Sequence, residues 1–232
     1  MMKYLKIISV YFFIVLAFSI VGFYTYTHIK TAWVVNNFIN SEHYRNRVEE
    51  FIRNPPKSKS IIFLGNSHTE HFDLELYGFP DIVNRGITGD FTEGVLLRLK
   101  ESVLNEPQKI FIEIGTNDII EKVTENEICK NYDQIISRIL KEAPLAEIYI
   151  QSIFPVSVKG SFFTSNKDVN NRITSVNAKL KVLAKRHHLT YIDLYDRLSE
   201  DNSLRSNLDG DGIHLNKKGY AIWAKELKHF IN

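Results

Sequence analysis

The sequence predicts an α/β fold built on a parallel sheet, and two observations carry that expectation. Short apolar runs alternate along the chain with longer segments whose apolar residues recur at helical spacing. The runs are nearly continuous in Ile, Phe, Leu and Tyr, as strands are when helices cover both faces of a sheet. Ligands bind such sheets outside the carboxyl ends of the strands, so the residues just after each run are where chemistry is expected.

The first element stands apart from that sheet. Residues 7–24, IISVYFFIVLAFSIVGFY, carry no charge. Their length approaches the ~20 residues needed to cross the hydrocarbon core of a bilayer. Lys3 and Lys6 precede the run, which would keep the N-terminus cytoplasmic and export the rest. Tyr24 and Tyr26 suit the far interface. Residues 1–30 are therefore expected to be a transmembrane signal anchor, with the remainder on the non-cytoplasmic side, periplasmic or extracellular in a bacterium. Secretion after signal cleavage is the alternative, although no small-x-small site follows the run.

Residues 31–59 read as an amphipathic connecting helix and linker. Trp33, Val34, Phe38, Ile39, Val48, Phe51 and Ile52 recur at roughly helical spacing, and Pro55-Pro56 stop the helix. This helix is free to pack on the domain or to lie at a membrane surface. From residue 60 the α/β pattern begins. Ile61–Leu64, ending at Gly65, is the first strand, and 81–84 the second. Residues 91–104 form a helix on Val95, Leu96, Leu99 and Val103, with Asp90 at its cap. KIFIEI at 109–114 is the third strand. Thr124 and Glu127 fit a capping box for a helix over 124–142. EIYIQSI at 147–153, a helix over 168–187, LTYIDL at 189–194 and a helix over 217–230 complete the domain, 60–232. The longest irregular stretch, 155–167, includes Phe162 and Phe163, which suit either a sugar platform or a clamp onto the core.

Composition narrows the function. The net charge is +2, on 29 basic and 27 acidic residues, which gives no basic stripe for nucleic acid. The single cysteine, Cys129, excludes an internal disulfide framework and a cysteine-rich metal site. One histidine beside aspartates lacks a recognisable ligand spacing, so no metal is expected.

Four short segments follow strands on the expected rim. Ser67 lies in FLGNSHTEHF, just past the first strand, where Gly65 permits a tight turn. Gly86 lies in NRGITGD, where a backbone N–H can approach a ligand. Asn117 lies in IEIGTND and offers a side-chain amide. Asp211 and His214 lie in DGDGIHLN, a spacing that lets one loop present a carboxylate and an imidazole together. A serine esterase needs such a base, and it needs donors for its oxyanion worth roughly 3–4 kcal/mol each. Ser67 N–H, Gly86 N–H and Asn117 would supply three. Asp118 reads as structural and Asp193 as part of a hydrogen-bonded rim. His187 and His188 read as solvated. His68 and His71 suit either a leaving-group pocket or an exposed helix start.

In this order the four segments resemble the blocks of the SGNH, or GDSL-type, hydrolases, over residues 60–232. The resemblance implies a three-layer α/β/α sandwich with a five-stranded, flavodoxin-like parallel sheet. It implies ester hydrolysis without metal or cofactor, through Ser67 as nucleophile, His214 as base and Asp211 as its orienting acid. NRGITGDFTEGVLLRL is similar to the subgroup of platelet-activating-factor acetylhydrolases and bacterial carbohydrate O-acetylesterases. That likeness implies a short acyl group, acetate above all, on a small ester or an O-acetylated glycan. Long-chain lysophospholipase or thioesterase activity, acyl transfer to a sugar, and a tethered glycan-binding module are the alternatives. One residue departs from the family pattern: Asn66 stands where Gly-Asp-Ser has aspartate.

Overall fold

The computed structural model describes residues 2–158 and 166–231. Helices α1 (Met2–Ile39) and α2 (Glu42–Arg53) lead into β1 (Ile61–Gly65), the one-turn α3 (Ser67–Glu70) and β2 (Ile82–Gly86). Then come α4 (Thr92–Leu97), α5 (Leu99–Ser102), β3 (Lys109–Glu113), α6 (Thr116–Ile120) and α7 (Glu125–Glu142). The chain continues through β4 (Glu147–Gln151), α8 (Asn166–Arg186), β5 (Thr190–Ile192) and α9 (Tyr195–Leu198). A two-stranded ribbon, β6 (Ser199–Glu200) and β7 (Ser203–Leu204), precedes α10 (Lys217–Ile231).

Five strands form one sheet in the order β2-β1-β3-β4-β5, every neighbouring pair parallel. This is the flavodoxin-like order, and it reverses direction between β1 and β3. Gly65 and Glu113 are register partners there, so the crevice beyond them is the place for a ligand.

Side chains alternate across each strand, and the two faces differ in kind. Ile62, Leu64, Ile110, Ile112, Ile148 and Ile150 meet the stripe Ile128, Tyr132, Ile135 and Ile139 of α7, together with residues of α4 and α8. Phe63, Phe111, Tyr149 and Ile192 face the other way, against Trp223 of α10. There Phe111 stacks on Tyr149 at 4.4 Å and Phe72 on Trp223 at 4.5 Å. Each such buried side chain contributes about 1.5–3 kcal/mol, so both layers are needed.

The capping box at Thr124 and Glu127 forms as the sequence indicates. Other expectations need correction. The helix expected over 91–104 is two short helices meeting at Arg98, whose guanidinium is turned inward to Asp90 and the Gly65 carbonyl. The helix expected over 31–54 breaks at Asn40-Ser41, where Ser41 Oγ accepts the Tyr44 N–H and starts α2. Val35, Tyr44 and Phe51 are buried, so this segment packs on the domain. Thr31 Oγ1 also donates to the Glu121 carbonyl at 3.0 Å.

The expected transmembrane span is not supported. The apolar run lies within α1, but among the described residues no helix is long and apolar enough to cross a membrane. Phe162 and Phe163 lie outside the described residues.

Candidate active site

The turn after β1 is built so that only glycine can precede it. A Cβ on Gly65 would lie 2.2 Å from the Glu113 carbonyl oxygen and 2.3 Å from Thr69 Oγ1. Asn66 then caps α3, its Oδ1 accepting the His68 N–H at 3.0 Å. The cap places Ser67 at the first position of α3, with its N–H unused by any hydrogen bond among the described residues. An asparagine performs this capping as well as an aspartate would, so the cap survives the departure at that position.

The loop before α10 meets Ser67 from the opposite side. Ser67 Oγ stands 2.9 Å from His214 Nε2, and His214 Nδ1 stands 2.7 Å from Asp211 Oδ2. The other carboxylate oxygen of Asp211 accepts the N–H groups of Ile213 and His214, at 3.0 and 2.8 Å. Partial burial pushes the Asp211 carboxyl up, but these hydrogen bonds outweigh it and hold the group at about 2. Asp211 is therefore a carboxylate at any working pH. It keeps the proton of the neutral ring on Nδ1 and leaves Nε2 free to accept from the serine. The loop is also braced from within. Gly210 N–H donates to the His214 carbonyl at 2.8 Å, and Asp209 Oδ1 accepts the Gly212 N–H at 2.6 Å.

The glycine chosen from the sequence is not available. Gly86 N–H donates to Asn84 Oδ1 at 2.9 Å, and a Cβ there would lie 2.2 Å from the backbone nitrogen of Glu70. Gly86 serves close packing of β2 on α3. Three residues on, Gly89 has a positive φ of 85°, and its N–H makes no hydrogen bond among the described residues. Asn117 Nδ2 donates to the carbonyl of the next residue, Asp90, at 2.9 Å, which ties Asn117 to the Gly89 turn and leaves its second N–H to spare. The second glycine of NRGITGD, followed by an aspartate, was the signal for this position.

Two buried carboxylates support that turn. Asp90 receives Arg98 Nε at 2.8 Å, with both side chains fully buried. Asp118 accepts both the N–H and the hydroxyl of Thr92, consistent with a structural part. Burial raises Asp90 to about 6 against the pull of Arg98, and Asp118 to about 7. The N-terminal helices brace the same turn from outside. Phe38 of α1 packs on Gly89 and Phe91, Arg47 of α2 bonds the Gly86 carbonyl and Glu70, and Tyr44 bonds the Gly94 carbonyl.

The remaining histidines divide. His68 is buried and bonded to the Ile213 carbonyl, not exposed at a helix start. His71 is exposed, with Nε2 3.2 Å from Thr88 Oγ1 and its ring 5.6 Å from that of His214, at the mouth of the site. His187 is paired with Asp133 at 2.7 Å instead of being solvated, while His188 is exposed. Asp193 is exposed. Among the described residues no group of three or more His, Cys, Asp or Glu is placed to hold a metal ion.

Such a site can deprotonate a hydroxyl as it attacks a carbonyl carbon and can cradle the resulting oxyanion. Residues 64–222 match the GDSL-like lipase/acylhydrolase family. The chain is similar to platelet-activating factor acetylhydrolase IB subunit alpha2 of Homo sapiens. They are 27% identical over 186 residues, covering 75% of this chain and 77% of that one. It is also 24% identical over 202 residues to N-acylneuraminate cytidylyltransferase of Escherichia coli, covering 82% of this chain and 44% of that one. A solved structure from Streptococcus pneumonia, named for platelet activating factor, superposes with a TM-score of 0.74 at 26% identity. It covers 93% of this chain and 99% of that one.

Proposed function

Because the chain belongs to the GDSL-like lipase/acylhydrolase family and is a carboxylic ester hydrolase, we propose that Ser67 is its nucleophile and that it removes a short acyl group, acetate above all, from an O-acylated sugar. The observation that carries the reading is the line Ser67 Oγ, His214, Asp211, with its two links of 2.9 and 2.7 Å.

In the first half of the reaction His214 Nε2 takes the Ser67 proton while Oγ bonds to the ester carbonyl carbon. The oxyanion rests on the N–H groups of Ser67 and Gly89 and on the Asn117 amide. His214 returns the proton to the leaving alcohol as the ester C–O bond breaks. A water molecule then gives its proton to His214, attacks the acyl-serine and releases the acid, and Ser67 regains its proton. Asp211 stabilises the imidazolium in both halves and stays ionised throughout.

Acetate is favoured by the likeness to an acetylhydrolase at 27% identity. A sugar is favoured by the match to part of an enzyme named for N-acylneuraminate. The proposal includes membrane attachment through α1, with the catalytic domain outside the cytoplasm. Lys3 and Lys6 before the apolar run, and the exposed side chains of Phe13, Val15, Phe18 and Val21, support it. Extraction of the full chain from membranes by alkaline carbonate would refute that part.

Ser67→Ala should abolish hydrolysis of p-nitrophenyl acetate, and labelling by a fluorophosphonate, without a change in thermal midpoint. Turnover retained in that variant overturns the nucleophile. Release of acetate from a panel of acetylated glycans tests the substrate class, and preferential release of long fatty acids overturns it.

A further inference from the structure

Behind the catalytic loop lies a buried polar pair that the proposed mechanism does not use. Glu113, the last residue of β3, is fully buried, and among the described residues neither of its carboxyl oxygens has a hydrogen-bond partner. His68, next to the nucleophile, is 1% exposed. Its Nε2 lies 3.1 Å from the Ile213 carbonyl, and its Nδ1 lies 3.7 Å from Glu113 Oε2 with no other partner among the described residues. The ring is boxed in by Phe154 at 5.0 Å and by His214 at 5.5 Å.

The protonation pattern follows from these contacts. A carbonyl oxygen only accepts, so the Ile213 contact requires the proton of His68 on Nε2. Nδ1 is then a bare acceptor. Facing it, an ionised carboxylate would be an anion without a donor in a dry place, which costs far more than a neutral acid. The neutral acid has one O–H to give. The nearby Nδ1 is about 0.5–1 Å beyond the usual hydrogen-bond length, within reach of a small side-chain adjustment.

We propose that Glu113, as the neutral acid, is a positioning residue for hydrolysis. It fixes the His68 tautomer whose Nε2–H holds the Ile213 carbonyl, and that bond holds the Asp211–His214 loop in register with Ser67. His68 thereby links the residue after the nucleophile to the residue before the base.

Burial alone raises the Glu113 carboxyl to about 8, and burial followed by the nearby His214 lowers His68 to about 3, which agrees with a neutral pair at pH 7. The groups facing Glu113 are His68 of α3, Tyr132 of α7 and Tyr220 of α10. His71, Asp211 and His214 face His68 in turn. Tyr132 bonds the Ile114 carbonyl and Tyr220 the His68 carbonyl, and burial carries both phenols well above the ordinary range. Neither tyrosine titrates where Glu113 does. As pH rises through about 8, Glu113 ionises. The O–H that Glu113 offers to His68 Nδ1 is then gone, the lock on the loop is lost, and kcat falls.

The inference rests on the Ser67–His214 reading. The test is the pH dependence of kcat for p-nitrophenyl acetate from about pH 6 to about pH 9.5. Wild type should show an alkaline fall near pH 8. Glu113→Gln, whose amide still donates to Nδ1 and does not titrate, should keep kcat within about threefold at pH 7 and lose that fall. Glu113→Leu should lose about tenfold in kcat at every pH with KM little changed. His68→Asn gives the same comparison should the leucine variant not fold. An alkaline fall unchanged in Glu113→Gln, or a kcat unchanged in both Glu113→Leu and His68→Asn, overturns the proposal. Turnover surviving in Ser67→Ala would instead overturn the nucleophile assignment beneath it.

Discussion

Replacing Asp211 by asparagine keeps the backbone bonds of its loop and removes one proton acceptor. Asparagine Oδ1 can still take the N–H groups of Ile213 and His214 that Asp211 accepts at 3.0 and 2.8 Å. Its NH2 then stands where His214 Nδ1–H needs an acceptor. The ring is driven to the tautomer with its proton on Nε2, facing Ser67, where it cannot accept. With a deeply buried acid this exchange lowers kcat by about 10⁴. Here the Asp211 side chain is 58% exposed and that of His214 29%, so water screens part of the effect. Two charges about 4 Å apart attract by about 1 kcal/mol in bulk water and about 4 kcal/mol at a protein surface. The surface value corresponds to roughly 10³ in rate, and screening brings the expected loss in kcat/KM to about 10²–10³.

Stability should move little, because the loop bonds persist and an exposed pair is worth about 1 kcal/mol or less, or about 2–4 °C for a chain of this size. Asp211 is depressed to about 2 from 3.8, so what it contributes is present above 3.8 and lost as pH falls toward 2. The two melting curves should converge there. Steady-state hydrolysis of p-nitrophenyl acetate, with thermal melts on the same samples, measures both quantities. A variant within threefold of wild type in kcat/KM would refute the orienting role.

Other substitutions separate the parts of the site. Asn117→Ala removes the proposed oxyanion donor and the bond to the Asp90 carbonyl, and kcat should fall by about 10²–10³ with KM little changed. Arg98→Met leaves Asp90 buried without its partner and should cost about 3–5 kcal/mol in denaturant unfolding. Asp90 is already raised to about 6 from 3.8. The folded state then favours the neutral acid, so the penalty is absent below 3.8 and grows as pH rises, and the variant should unfold more readily at pH 7 than at pH 4. Asn66→Asp keeps the cap on His68 N–H and replaces the buried, unpartnered Nδ2. Kinetics should find kcat within about threefold, because the cap that places Ser67 at the start of α3 persists.

Much of this was legible in the sequence because it is local. The strands showed as apolar runs, the capping box of α7 as Thr124 and Glu127, and Asp211 with His214 as one short loop. What the sequence does not display depends on contacts distant along the chain. Gly86 differs from Gly89 in that Asn84 takes its N–H and Glu70 crowds it, while Gly89 turns at a positive φ with its N–H left over. His68 reads from the sequence as part of a leaving-group pocket or as an exposed helix start, and its burial arises from Ile213 and Phe154, far along the chain. The break at Arg98 depends on Asp90 and Gly65 drawing the guanidinium inward. The ribbon β6–β7 was too short for periodicity, and its marker was Asp201-Asn202, both with positive φ.

The bracing of the Gly89 turn by Phe38, Tyr44 and Arg47 bears on how the enzyme can be cut from its N-terminus. The family match begins at residue 64, and a fragment starting near there would hold every group of the hydrolytic set. It would also expose Phe91 and strip Glu70 of Arg47, leaving the Gly89 turn with its inner support from Asp90 and Asp118 but without its outer brace. A shortened form that keeps its turnover should instead begin near Thr31, after the apolar run, where among the described residues the chain starts to grip the domain.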